Sequence, residues 1–224
     1  MTDFLLDGPE GAAFTVMLAH GAGAPMDSAS LNATTKALVA AGFRVARFEF
    51  GYMAARRKGE RKPPPRAETV IPEYEAAVAA LAPRNRLIIG GKSMGGRVAS
   101  MAADRLFTQK KIVGLLCLGY PFHPPGKPEQ LRTKHLETLK VPALICQGTR
   151  DEFGTKDEVP GYRLSDAIEL FWLEDGDHDL KPRKGISGFS TADHLKSLAT
   201  KVADWSKTLT SPSPPVGEGG RTAP

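Results

Sequence analysis

The sequence predicts an α/β protein with a mostly parallel central sheet and helices on both of its faces. Three observations carry this. Short apolar runs alternate with segments of helical periodicity, beginning with a strand–helix–strand unit over residues 14–50, an order that calls for a crossover connection and parallel pairing. The run at 112–118 is apolar on both faces, as a strand covered by helices on each side must be. Finally, Gly91-Lys92-Ser93-Met94-Gly95 stands where the run Arg86-Leu87-Ile88-Ile89 meets a helical segment, which sets a lone serine on a sharp strand-to-helix turn.

Taken in order, the first strand is expected at 14–19, ending in His20-Gly21-Ala22-Gly23-Ala24-Pro25. Asp27 or Ser28 can cap the helix that follows, whose apolar positions Leu31, Ala37, Leu38 and Ala41 recur at helical spacing before Gly42 stops it. A second strand is expected at 43–50. Residues 51–67 carry Arg56, Arg57, Lys58, Arg61, Lys62 and Arg66 and then Pro63-Pro64-Pro65, and read as a cationic surface excursion. A helix follows at 72–81, the serine strand at 86–89, a helix at 95–107 and the strand at 112–118. The loop Gly119-Tyr120-Pro121-Phe122-His123-Pro124-Pro125 ends on the same sheet edge as Ser93. A short helix is expected at 128–137, a strand at 141–146, a helix at 155–164 and a strand at 167–173. A last helix starts near Ser190, with Leu195, Leu198, Ala199, Val202 and Trp205 or Leu209 as its apolar stripe. The domain is set at 1–209. The segment 210–224, rich in Ser, Pro and Gly, has too little to bury and is expected to be a disordered tail. Only about 20 residues separate Tyr120 from the next strand, so a cap is expected to be minimal or absent.

A serine turn this tight needs positions without a Cβ two residues before and two after, and Gly91 and Gly95 supply them. The same letters resemble the end of a phosphate-binding loop, but that motif needs glycine five positions before Gly91, where Arg86 stands. His20-Gly21-Ala22-Gly23 likewise invites a dinucleotide-binding reading, with Glu49 as the ribose acid. The third glycine of that fingerprint is replaced by Met26. The alternative is an oxyanion loop, stripped of side chains so that the Ala22 amide, with that of Met94, meets a substrate oxygen.

The 224 residues suffice for one domain with a self-supporting core, and 41% hydrophobic with 25% charged is ordinary for a globular chain. Cys117 and Cys146 sit in apolar runs and read as core residues suited to a reducing compartment. No secretory signal or membrane-length apolar run is found, so the expected location is cytoplasmic, with no membrane partner. The net charge of +5 comes largely from the 56–66 stretch. Without interleaved aromatics it argues against nucleic acid, and leaves a solvated loop, a protein partner or attraction of anionic substrate.

The chemistry-bearing residues follow three strands in the order Ser93, Asp151, His178, the order of nucleophile, acid and base expected on such a sheet. Asp151 alone would pass for a turn residue. His178, among Asp175, Asp177 and Asp179, would pass for a solvated side chain or a metal ligand, although no recognised metal spacing accompanies it. Together with the serine turn they form a set. His20, Gly21, Gly23, Lys92, Tyr120 and His123 complete it as candidate substrate contacts, Lys92 through its charge. No metal or cofactor is called for.

Across about residues 10–209 the sequence resembles the α/β-hydrolase superfamily. His20-Gly21-Ala22-Gly23-Ala24, Gly91-Lys92-Ser93-Met94-Gly95-Gly96-Arg97, Gln147-Gly148-Thr149-Arg150-Asp151-Glu152-Phe153-Gly154 and Asp175-Gly176-Asp177-His178-Asp179-Leu180 narrow it to a compact branch related to dienelactone hydrolases, with testis-expressed and acetyltransferase-complex-associated homologues. The resemblance implies nucleophile Ser93, acid Asp151, base His178 and hydrolysis of a small or exposed ester. The dienelactone enzymes use cysteine where this chain has serine, so their substrate does not carry over. Relatives without a known reaction leave a non-catalytic interaction module as the alternative.

Overall fold

The computed structural model describes residues 2–60 and 62–209. Seven strands form one sheet: β1 (Phe4–Asp7), β2 (Phe14–Ala19), β3 (Arg44–Phe48), β4 (Arg86–Lys92), β5 (Gly114–Leu118), β6 (Ala143–Gly148) and β7 (Ile168–Leu173). Their spatial order is β1-β3-β2-β4-β5-β6-β7, and every pair is parallel except β1 with β3. The helices are α1 (Ala29–Ala40), α2 (Gly51–Arg57), α3 (Ile71–Leu81), α4 (Met94–Thr108), α5 (Lys184–Ser187) and α6 (Thr191–Ser206). The mostly parallel sheet with two covered faces is the one expected.

The period-2 alternation of the strands divides the core. Met17, Ile89, Leu115, Cys117 and Ile145 face α3 and α4, whereas Val16, Ile88, Leu116, Leu144 and Cys146 face the side covered by α1 and α6. The two thiols therefore lie on opposite faces of the sheet, both free and buried. Ser28 caps α1, its hydroxyl accepting the Leu31 N–H. A capping box of Ser190 and Asp193 starts α6.

Several expectations are corrected. The edge strand β1 went unread because it is four residues long and precedes the first continuous apolar run. Residues 51–57 are helical: the Glu73 carboxylate accepts the Gly51 N–H at 2.7 Å, and Tyr52 and Met53 enter the core. The three prolines act only beyond it. At 128–137 there is a single 3₁₀ turn, Lys134–Leu136, because the preceding backbone is spent on the 120–122 loop: the Arg132 N–H donates to the Phe122 carbonyl and the Tyr120 hydroxyl to the Arg132 carbonyl. The expected helix at 155–164 is a 3₁₀ turn, Val159–Gly161. The Glu158 carboxylate closes a local turn on the Thr155 N–H and hydroxyl, and Pro160 and Gly161 follow. The short α5 was not foreseen. Between β5 and β6, where a cap would be inserted, the chain builds nothing larger than that one turn. The proposed tail at 210–224 lies outside the described residues, as does Arg61.

Candidate active site

The C-terminal ends of β4, β6 and β7 deliver Ser93, Asp151 and His178 to one point. Ser93 has φ 51° and ψ −118°, a conformation costly for a residue with a Cβ. The cost is met by close packing around it. A Cβ on Gly91 would sit 2.6 Å from the Ala19 carbonyl oxygen and 2.6 Å from the Gly95 carbonyl carbon, and one on Gly95 would sit 2.5 Å from the same oxygen. Below the turn, the buried Tyr74 hydroxyl donates to the Gly90 carbonyl and accepts the Gly90 N–H, fixing the strand that carries the serine.

His178 Nε2 lies 2.8 Å from Ser93 Oγ, and Nδ1 lies 2.9 Å from Asp151 Oδ2 and 3.1 Å from Oδ1. The carboxylate is fully buried. It also accepts the Gln147 amide at 2.9 Å and the Phe153 N–H at 2.9 Å, so a charge that burial would otherwise disfavour is satisfied on both oxygens. Gln147 reaches further: its oxygen accepts the Tyr120 N–H and its amide donates to the Tyr120 and Gly154 carbonyls. The Phe153 ring packs on the imidazole at 4.1 Å between centroids. Gln147 and Phe153 lie in a motif read from the sequence, but their roles follow only from the fold.

The glycine loop after β2 packs against the serine: a Cβ on Gly21 would lie 3.7 Å from Ser93 Cβ, while Gly23 is exposed and opens on free space. The Tyr52 hydroxyl donates to the Ala22 carbonyl at 3.0 Å and the Gly21 carbonyl at 3.3 Å. Among the described residues neither the Ala22 nor the Met94 N–H has a hydrogen-bond acceptor. Met94 opens α4, where the helix leaves its first amides unpaired.

Four of the expected substrate contacts are corrected. His20 is fully buried: Nδ1 donates to the Gly21 carbonyl at 2.7 Å, Nε2 accepts the Phe50 N–H, and its ring packs on Phe50 and Tyr52. Desolvation lowers its pKa, so it serves as a neutral pin under the glycine loop. Tyr120 is likewise fully buried, and His123 is 2% exposed with Nδ1 on the Pro124 carbonyl. Lys92 is 8% exposed and pairs with Asp179 at 3.6 Å.

Glu49, the candidate ribose acid, accepts from Arg57 and from the Met26 N–H, which removes the dinucleotide reading. The basic stretch is partly compensated from within. Arg57 pairs with Glu49 and Asp27, Lys62 with Glu60, and Arg56 lies over the Tyr52 ring. The three aspartates around His178 diverge: Asp175 holds Arg183, Asp177 accepts the Asp179 and Lys181 N–H groups, and Asp179 holds Lys92 and Lys181. A cavity of about 430 Å³ beside His178 is lined by Arg150, Glu152, Asp177 and Asp179. A larger hollow of about 690 Å³ lies at the opposite edge of the sheet, around Arg84, Arg86, Lys110 and Lys111, away from this chemistry.

A family model described as an alpha/beta hydrolase domain matches residues 12–207. Among solved structures the chain is similar to a dienelactone hydrolase from Anabaena variabilis, at 18% identity and a TM-score of 0.68, with 93% of this chain and 92% of that one covered. It is similar to an α/β serine hydrolase without a lid from Xanthomonas campestris, at 18% identity and a TM-score of 0.66, covering 95% and 91%. Est1E from Butyrivibrio proteoclasticus, solved with ferulic acid bound, matches at 15% identity and a TM-score of 0.65, covering 92% and 94%. At these identities the likeness to the solved structures is one of fold.

Proposed function

Since the chain belongs to the α/β-hydrolase family, we propose that it is a serine hydrolase that cleaves small or exposed esters through an acyl-enzyme. The observation that carries this is the unbroken contact chain from Ser93 Oγ through His178 to Asp151, each link within 2.9 Å. His178 takes the Ser93 proton as Oγ attacks the ester carbonyl, and Asp151 holds the imidazole tautomer and offsets its developing charge. The tetrahedral oxyanion accepts from the Ala22 and Met94 N–H groups. For Ala22 the support is stereochemical: a trans peptide sets its N–H opposite the Gly21 carbonyl, which is turned inward onto His20 and Tyr52. Collapse expels the alcohol with the proton returned by His178. Water then attacks the acyl-Ser93 by the same route.

The absence of any element larger than a 3₁₀ turn between β5 and β6 favours substrates presented from solvent over long buried acyl chains. The test is hydrolysis of p-nitrophenyl acetate together with labelling by a fluorophosphonate probe. Wild type should turn over and label, whereas Ser93→Ala should lose labelling and, like His178→Ala, at least 10³-fold in kcat/KM. Equal rates for wild type and Ser93→Ala would overturn the reading.

A further inference from the structure

Lys92 is the charged side chain of the serine turn, and the mechanism leaves it unused. As the last residue of β4 it points beneath the histidine turn rather than into solvent, and among the described residues its ammonium has a single carboxylate partner, Asp179, at 3.6 Å. Gly119, at the end of β5, opens the space between them. With φ at +59° it is at home in the left-handed region, and a Cβ built on it would lie 3.1 Å from Lys92 Nζ, 3.5 Å from His178 Nδ1 and 2.6 Å from the His178 carbonyl oxygen. The ammonium and the imidazole thus flank one missing side chain, no more than about 7 Å apart, a range over which charges shielded from water still couple. The approach is on the Nδ1 side, away from the Nε2 that meets Ser93.

We propose, on the strength of the triad reading above, that Lys92 and Asp179 form a positioning pair that latches the His178 turn onto the nucleophile strand and sets the proton affinity of the base from both sides. Lys92 opposes the imidazolium; Asp179, next to His178 in the chain, favours it. The other charges around the ring are Asp151 at Nδ1, Arg150 and Glu152 from the same β6 loop, and Asp177 and Lys181 from its own turn. Burial alone pushes the Lys92 ammonium towards deprotonation, while Asp179, Asp151 and Asp177 oppose it. A buried cation with one near partner among the described residues exerts its field on what else lies within reach, namely the Asp151–His178 couple.

The experiment is an NMR titration of the His178 C2–H signal in the full chain, assigned by its loss in His178→Gln. It is run on wild type, Lys92→Met, Asp179→Asn and the double variant. The midpoint should move up by roughly half a pH unit or more in Lys92→Met, move down in Asp179→Asn, and return close to wild type in the double variant. The acid limb of kcat/KM should follow the midpoint, with KM within about twofold. A purely structural role would move both single variants the same way or leave the midpoint in place, and either result overturns the proposal. Should Lys92→Met fail to fold, Asp179→Asn at its half-exposed position decides alone. Fluorophosphonate labelling of wild type runs in parallel: unlabelled protein would sink the triad reading, while the titration still decides the charge pair.

Discussion

Gly91 and Gly95, two residues before and two after Ser93, pack backbone to backbone, so that a Cβ on Gly91 would lie 2.6 Å from the Gly95 carbonyl carbon. The positive φ of Ser93 is held by that contact, with the Ala19 and His20 carbonyls closing the other side.

Gly95→Ala should therefore cost stability even though alanine is the better helix former by about 1 kcal/mol in the first turn of α4. Its Cβ would meet the Ala19 and His20 carbonyl oxygens at 2.5 and 2.6 Å, both rigid backbone. The overlap outweighs the propensity gain, for a net loss of about 2–4 kcal/mol and a fall in Tm of roughly 5–15 °C. Gly11→Ala, at a site with nothing within 4 Å of the added carbon, is the control and should stay within about 0.5 kcal/mol. Similar melting curves for the two variants would remove the steric argument.

Tyr52→Phe tests the glycine loop from below. Burial pushes the Tyr52 phenol up to about 12, so it remains a donor across the working range, and it donates to the Gly21 and Ala22 carbonyls. Without it the loop loses the contacts that turn the Ala22 N–H outward. The expected result is a drop of about 10-fold in kcat for p-nitrophenyl acetate with KM nearly unchanged, since the misplaced N–H is the proposed oxyanion donor, which would act on the transition state. An unchanged kcat would leave His20 alone as the pin.

That contact also marks how far the sequence could be read. The serine turn, the order Ser93, Asp151, His178 and the parallel core were legible because each is written in local chemistry: glycines flanking a serine, polar residues closing apolar runs, strands apolar on both sides. Tyr52 was not, because Pro63-Pro64-Pro65 dominated the reading of its segment, while its helix is started by a carboxylate 22 residues away, Glu73. Gln147 and Gly119 act through neighbours on other strands, which no spacing reveals. His20, Tyr120 and His123 follow strand ends much as Ser93, Asp151 and His178 do, and burial does not separate the sets, since Asp151 is itself fully buried. The difference lies in what each side chain touches once the strands are side by side. The expected helices at 128–137 and 155–164 failed where side chains and backbone were already committed to tertiary or turn contacts.

Stability towards acid should carry the signature of Asp175. Hydrogen bonds from Arg183 hold its carboxyl at about 2, below the ordinary 3.8, and it accepts the Arg183 backbone N–H as well. A depressed folded value means that the contribution is fully present above the unfolded value and is lost as pH falls through the folded one. Asp175→Asn should thus be less stable than wild type by a constant margin from neutrality down to about pH 5, the margin narrowing below about pH 4. Urea melts of both proteins at stepped pH read this directly. A margin that widens on acidification would exclude the Arg183 pairing as its source.

The remaining question is which charge a substrate should carry. A net charge of +5 and a cationic stretch suggest attraction of anions, but the cations nearest the site are already engaged. Lys92 is buried on Asp179, and Arg57 is held by Glu49 and Asp27. Arg150, the cation lining the cavity beside His178, donates to the Asp175 and Lys181 carbonyls and lies 3.6 Å from Asp177. Glu152, Asp177 and Asp179 line the same cavity, so the local field there opposes a second negative group despite the positive sign of the whole chain. At low ionic strength mono-4-nitrophenyl succinate, which bears a carboxylate, should have a kcat/KM equal to or a few-fold below that of the neutral 4-nitrophenyl pentanoate. Added salt should narrow any gap, because exposed carboxylates are screened within about 10 Å at 0.1 M. A several-fold preference for the anionic ester that salt abolishes would show that the long-range positive field, and not the carboxylates lining the mouth, selects the substrate.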